Sequence, residues 1–180
     1  MSAASEVLDT LARLGIEYQC VAHAPAYTMA DCAELDARLN ALTPKNLFLT
    51  TKSGKRFYLC LARPEARFKT SDISKQAGSP RLSFAPEEIL FQKLRCHGGS
   101  ASPLGLIFPE SRGVGLLIDS ALKDAPTLAF HPCDNTQTVL MSGQSFFQIF
   151  LTSLNITPLF VDFQKPSPLG EGGLREAQDG

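Results

Sequence analysis

The sequence contains no apolar run near the roughly 18 uninterrupted residues that a membrane-crossing helix requires. Its opening, Met1-Ser2-Ala3-Ala4-Ser5-Glu6, has neither the basic nor the apolar stretch of a secretory signal. These absences lead us to expect a cytoplasmic protein with no membrane partner. The five cysteines (Cys20, Cys32, Cys60, Cys96, Cys133) are odd in number and include no C-x-x-C pair, so no disulfide framework is indicated. Most of them read as small buried hydrophobes. Familiar catalytic signatures are also missing. There is no G-x-S-x-G nucleophile elbow, no G-x-x-x-x-G-K-[ST] phosphate loop, and no H-x-E with P-C-x-x-C of the zinc deaminases. No internal repeat is visible.

What is present is a chain of 180 residues, 44% apolar and 19% charged, which fits one domain able to bury a sizeable core. The net charge of -1 hides an uneven distribution. Between Thr43 and Arg95 eleven bases face four acids, a local +7, and the rest of the chain carries -8. A basic surface on a near-neutral protein suits a polyanionic ligand held at one face, although a solvated face with no ligand has the same composition.

Periodicity predicts a helix over Ala4–Leu14, with Val7, Leu8, Leu11 and Leu14 on one face and Gly15 closing it. A strand is predicted over Ile16–Ala22, broken by His23-Ala24-Pro25. Thr28 with Asp31 reads as the cap of a helix to about Leu39. Asn46–Thr51 and Phe57–Ala62 form a hairpin signal through Ser53-Gly54, and helices follow at Thr70–Ala77 and Pro86–Leu94. A second hairpin is expected from Leu104–Phe108 and Val114–Asp119. Thr127–Phe130, Thr136–Met141 and Thr157–Val161 read as strands, and Ser145–Leu154 as a helix. Hairpins among helices without a βαβ repeat give a mixed α/β (α+β) domain over residues 1–163. The composition of 164–180 is that of a disordered tail.

Three places carry chemistry. Lys45 opens an apolar strand, where an ammonium can meet a phosphate or carboxylate; alone, it also reads as an ordinary solvated strand-end lysine. The run Gly99-Ser100-Ala101-Ser102-Pro103 presents backbone N–H groups able to face an oxyanion, or is a plain turn. His131 follows a strand end, where it can orient a substrate near neutral pH or be a satisfied loop histidine. Cys96, His97, His131 and Cys133 are zinc-ligand types, but neither close pair has the customary spacing, and we expect no metal. A thiol redox enzyme would have to use Cys96 or Cys133, the cysteines near histidines.

In order along the chain, Leu14-Gly15-Ile16-Glu17-Tyr18, His23-Ala24-Pro25, Lys45-Asn46-Leu47-Phe48-Leu49, Arg81-Leu82-Ser83-Phe84-Ala85, Gly99 through Leu106 and Phe130-His131-Pro132 resemble phrases of one family. It is that of the free-standing prolyl-tRNA deacylases of the YbaK/ProX superfamily, relatives of the editing domain inserted in bacterial prolyl-tRNA synthetases. The resemblance covers most of the chain outside the tail. It implies a curved mixed sheet flanked by helices, a small aminoacyl pocket, and hydrolysis of the ester joining an amino acid to the terminal adenosine of tRNA, without metal or organic cofactor. Lys45 matches the family's essential lysine, which holds the phosphate or ribose of that adenosine. Gly99, Ser100, Ala101, Ser102 and Pro103 match its G-x-x-x-P loop, His131 matches a histidine of the alanine-specific branch, and Asn46 lines the same site.

The partner implied is the acceptor end of proline tRNA. Docking on prolyl-tRNA synthetase or an elongation factor is left open. An aminoacyl ester is already activated, so positioned water and fixed N–H dipoles suffice, with the neighbouring ribose hydroxyl as internal base. The expected substrate is alanyl-tRNA(Pro). The alternatives are a cysteinyl, seryl or 2-aminobutyryl ester, or a non-catalytic protein that binds tRNA or an amino acid.

Overall fold

In the computed structural model, residues 2–25 and 29–163 are described. Helix α1 (Ala3–Arg13) starts where the Ser2 hydroxyl accepts the Ser5 N–H, and it buries Val7 and Leu11. Gly15, at φ 73°, turns the chain into β1 (Tyr18–Ala22). After α2 (Met29–Leu39) the expected hairpin forms β2 (Lys45–Thr51) and β3 (Phe57–Ala62), its turn made by Gly54 at φ 71°. Helix α3 (Thr70–Gln76), strand β4 (Leu82–Phe84) and helix α4 (Glu87–Leu94) follow. Then come β5 (Gly115–Asp119), β6 (Thr127–Phe130), β7 (Gln137–Ser142), a short helix α5 (Leu151–Ser153) and β8 (Leu159–Val161). The expected Thr28 cap and the tail at 164–180 lie outside the described residues.

The class is mixed α/β as expected, but the strands divide into two sheets rather than one. An antiparallel sheet runs β1-β7-β6, and a five-stranded mixed sheet runs β4-β2-β3-β5-β8. In the larger one β4, β2 and β3 are antiparallel, whereas β5 lies parallel to β3 and β8 parallel to β5. One parallel bridge, Leu42 to Leu128, ties the sheets together.

The second hairpin is a correction. Pro103–Ile107 is a 3₁₀ helix, so β5 has no antiparallel partner before it. Pro103 opens that helix, the Ser102 hydroxyl accepts the Leu104 N–H at 3.1 Å, and Leu104, Gly105 and Leu106 are all buried. A segment covered on every side shows no alternation, and its apolar run imitates a strand. The helix expected over Ser145–Leu154 begins as a π-helical turn, Ser145–Phe150, before α5. Strand β4, for which no element was expected, is only three residues long.

The large sheet is buried on both faces, which is why β3 and β5 read as continuous apolar runs. Leu59, Leu61, Leu116 and Ile118 join the main core with Phe48, Leu104, Phe130, Phe146 and Phe150. Cys60, Ala62 and Leu117 face the other way, into a smaller core with Leu49, Ile73, Leu82 and Val161.

Candidate active site

Two contacts bring the sequence-predicted residues together. At the bridge, Leu42 donates to the Thr127 carbonyl at 3.3 Å and Ala129 donates to the Leu42 carbonyl at 3.0 Å. The two segments run parallel there, and Lys45 at the start of β2 and His131 just past β6 each follow the bridge by three residues along the chain. The second contact is between thiols: Cys96 Sγ lies 3.1 Å from Cys133 Sγ, and both point at the Leu94 carbonyl, at 3.4 and 3.6 Å. Cys96 leads into the Gly99–Pro103 loop and Cys133 ends the His131 turn, so this buried pair clamps the two together. Hydrogen bonding to Cys133 and burial push the Cys96 thiol up in pKa, which keeps that sulfur a protonated, inert group.

Lys45 and Asn46 are neighbours on a strand and therefore project to opposite faces. Lys45 lies on the face of Leu47 and Leu49, half-buried, with Nζ donating to the Ala66 carbonyl at 2.6 Å. Burial lowers its pKa, opposed by the nearby Glu65 carboxylate. Asn46 shares the face of Phe48, toward the main core. Its Nδ2 donates to the Pro44 carbonyl at 3.1 Å, while its Oδ1 is buried with no hydrogen-bond partner. A buried amide oxygen left unmatched is costly, and sites of this kind are explained by a missing donor.

The loop is held by its own serines. Ser100 Oγ accepts from His97 N–H at 3.1 Å and donates to the His97 carbonyl at 3.0 Å. Ser102 Oγ is occupied by Leu104 N–H. Both serines are buried, and both hydroxyls serve the loop, so neither is set beside a base as a nucleophile. Gly99 takes φ 86°, a left-handed conformation suited to glycine. Ala101 is half-buried, and Pro103 is buried at the head of the 3₁₀ helix. Among the described residues the amides of Gly99 and Ala101 have no partner. Helix α4 braces the loop from outside: Glu87 accepts Gly98 N–H at 2.8 Å, and Phe91 stacks on His97 at 4.8 Å.

His131 is buried, its Nδ1 2.7 Å from the Gln137 carbonyl. A carbonyl only accepts, so Nδ1 carries the proton and the neutral ring keeps its lone pair on Nε2. Burial lowers its pKa; the Gln137 bond and Asp134 oppose this, and His23 reinforces it. The imidazole is therefore neutral at pH 7.

Sequence reading had not placed His23 in the site. Its ring lies 5.9 Å from that of His131, its Nδ1 donates to the Ala24 carbonyl at 2.7 Å, and its Nε2 meets Thr138 Oγ1 at 2.6 Å. Thr138 and Gln137 are adjacent on β7, so one strand fixes both histidines. Only the β1–β7 pairing makes this visible, and no local signal in the sequence reports it.

These features coincide with a known family. An aminoacyl-tRNA editing domain family model matches residues 23–149, a span that holds Lys45, Asn46, the loop and both histidines. The chain belongs to the aminoacyl-tRNA editing domain family. By that membership it is an aminoacyl-tRNA deacylase, an ester hydrolase whose substrate is tRNA. The prolyl-tRNA editing protein ProX of Acetoanaerobium sticklandii is 32% identical over 149 residues, spanning 83% of this chain and 91% of that protein. The prolyl-tRNA synthetase associated domain-containing protein 1 of Danio rerio is 29% identical, spanning 88% and 86%. The fold of the editing domain also matches the crystal structure of a candidate trans-editing enzyme for prolyl tRNA synthetase. That likeness has a TM-score of 0.69 at 18% identity and covers 92% and 98% of the two chains.

Among the described residues of the editing domain, no group of three or more His, Cys, Asp or Glu side chains is placed to hold a metal. The four zinc-ligand types of the sequence are used otherwise, with His97 out on Phe91 and the two thiols on each other. No helix among those residues is long and apolar enough to cross a membrane.

Proposed function

We propose that the chain hydrolyses alanyl-tRNA(Pro), releasing alanine from proline tRNA at the junction of Lys45, Asn46, the Gly99–Pro103 loop and His131. The observation that carries this reading is the buried Asn46 Oδ1, which has no donor; His131, with its proton on Nδ1, offers a second acceptor at Nε2. An α-ammonium is a donor that answers both. The amides of Gly99 and Ala101 supply N–H dipoles for the oxyanion that develops on the ester carbonyl. On the other face Lys45 holds the phosphate or ribose of the terminal adenosine with the donors that Ala66 leaves unused.

In this scheme a water oxygen attacks the ester carbonyl carbon while the neighbouring ribose hydroxyl relays its proton. The bond from carbon to ribose oxygen then breaks, that oxygen takes the proton, and free amino acid leaves. No protein nucleophile is required, in keeping with the engaged hydroxyls of Ser100 and Ser102. The choice of proline tRNA is supported by the names of the two relatives, and the same names support docking beside a prolyl-tRNA synthetase. Alanine over proline follows from the logic of editing. A synthetase pocket separates side chains one methylene apart by only about 1–3 kcal/mol, so a second and smaller pocket must do the sorting.

Lys45→Ala tests the assignment. With alanyl-tRNA(Pro) as substrate, the variant is expected to fold normally and to lose deacylation. Retention of full activity would remove Lys45 from the reaction.

A further inference from the structure

Resting on that reading, in which a neutral His131 offers Nε2 to the substrate, the second histidine of the site gains a role. We propose that His23 is a positioning residue for deacylation. Held against the His131 ring by Thr138, it takes the proton that would otherwise settle on His131, and so keeps Nε2 an acceptor.

Three observations carry the assignment. The two rings lie 5.9 Å apart, close enough for a charge on one to disfavour a charge on the other. Their hydrogen bonds also differ in kind. His131 is buried and its Nδ1 faces a carbonyl, so a second proton on that ring would place a cation in the interior. His23 is only half-buried, and its Nε2 lies 2.6 Å from a hydroxyl, Thr138 Oγ1. A hydroxyl both donates and accepts. It gives its hydrogen to a neutral His23 and accepts one from a protonated His23, so this ring changes charge without moving. Third, His23 is anchored from two strands. Its N–H donates to the Thr136 carbonyl at 2.8 Å and its Nδ1 to the Ala24 carbonyl, while Ala22 before it pairs with Gln137.

The other groups around His131 cannot serve this end. Asp134, in the same turn, favours the protonated ring and is itself engaged by Thr136 and Gln137. Cys20 of β1 points its thiol at the Gln137 side-chain oxygen, and burial and Asp134 push that thiol up in pKa, so it stays uncharged. A charge on His23 is the one that opposes a charge on His131. Protonation of His131 would turn the Nε2 acceptor into a donor facing the substrate ammonium.

The test pairs two measurements on wild type and on His23→Gln, which is neutral at every pH and still able to hydrogen-bond Thr138. The first is NMR titration of the imidazoles of the substrate-free protein, in which only three histidines have to be told apart. The second is kcat/KM for alanyl-tRNA(Pro) at about pH 5.5 and about pH 8, on either side of the ordinary histidine value. In His23→Gln the His131 midpoint is expected to move to higher pH. The ratio of kcat/KM at the lower pH to that at the higher should fall roughly 3- to 10-fold, the effect of one charge about 6 Å away in a partly solvated site. Thr138→Val, which keeps the shape and removes the hydroxyl, should shift both in the same direction. A purely structural role for His23 would lower kcat/KM equally at the two pH values, and that result overturns the proposal. So does a His131 midpoint that stays in place in both variants. A midpoint that moves while the rates of wild type and His23→Gln stay identical at both pH values would instead remove His131 from the reaction, and the underlying reading would fail with it.

Discussion

Replacing Asn46 with leucine, a side chain of similar size, separates what this residue does for the fold from what it does for the substrate. In the free protein its Oδ1 is buried without a donor, so removing it relieves a penalty of about 1–3 kcal/mol. The same change deletes the Nδ2 bond to Pro44 and leaves that buried carbonyl unmatched, at a similar cost of about 1–3 kcal/mol. The two offset, so Tm should stay within about 2 °C of wild type. Turnover should change far more. A hydrogen bond to a charged group is worth about 1.5–3 kcal/mol, so kcat/KM for alanyl-tRNA(Pro) should fall roughly 10- to 150-fold. Calorimetry and a deacylation time course on the same preparation read both numbers. A fall in Tm of several degrees would mean that Oδ1 has a partner in the folded protein. Unchanged kcat/KM would mean that it does not face the substrate.

His131 should impose an acid limb on the reaction. Activity requires its neutral ring, and its pKa lies below the ordinary value near 6.5, so kcat/KM should be flat above about pH 6.5 and fall as the pH drops through the depressed value. The linked stability has the same sign: the unfolded chain binds more protons in this window, so the His131 contribution is complete above about pH 6.5 and is lost on acidification. A His131→Gln profile that keeps the wild-type acid limb would refute this. Gly105→Ala should disturb the loop, because a Cβ there would collide with the Leu94 carbonyl oxygen that both clamping thiols address. The expected cost is about 1–3 kcal/mol, seen as a lower Tm together with slower deacylation. An unchanged Tm would show that the loop has room to yield. Deacylation should survive a thiol-blocking reagent, since no step uses sulfur; complete inactivation by labelling at the exposed Cys20 would contradict that.

Local patterns carried much of the fold. The α1 stripe of Val7 and Leu11, the turn at Gly54 and the proline before α4 act within a few residues, and each appears where expected. What was not legible is non-local. Nothing near Gly115–Asp119 indicates that its neighbours are β3 and β8 rather than the segment before it, and the apolar Leu104–Ile107 run looks the same whether its burial comes from a strand or a 3₁₀ helix. The site divides along the same line. Lys45, Asn46, the loop and His131 stand at recognisable places in the chain. By contrast, the Cys96–Cys133 clamp, the His23–His131 pair and the unmatched Asn46 oxygen come from contacts between segments far apart in sequence.

The central claim is tested most directly by release of labelled amino acid from alanyl, cysteinyl, seryl and prolyl esters of one proline tRNA under single-turnover conditions. The account predicts rapid loss of alanine while the prolyl ester persists. Equal release of proline, or no release from any of the four, would contradict it.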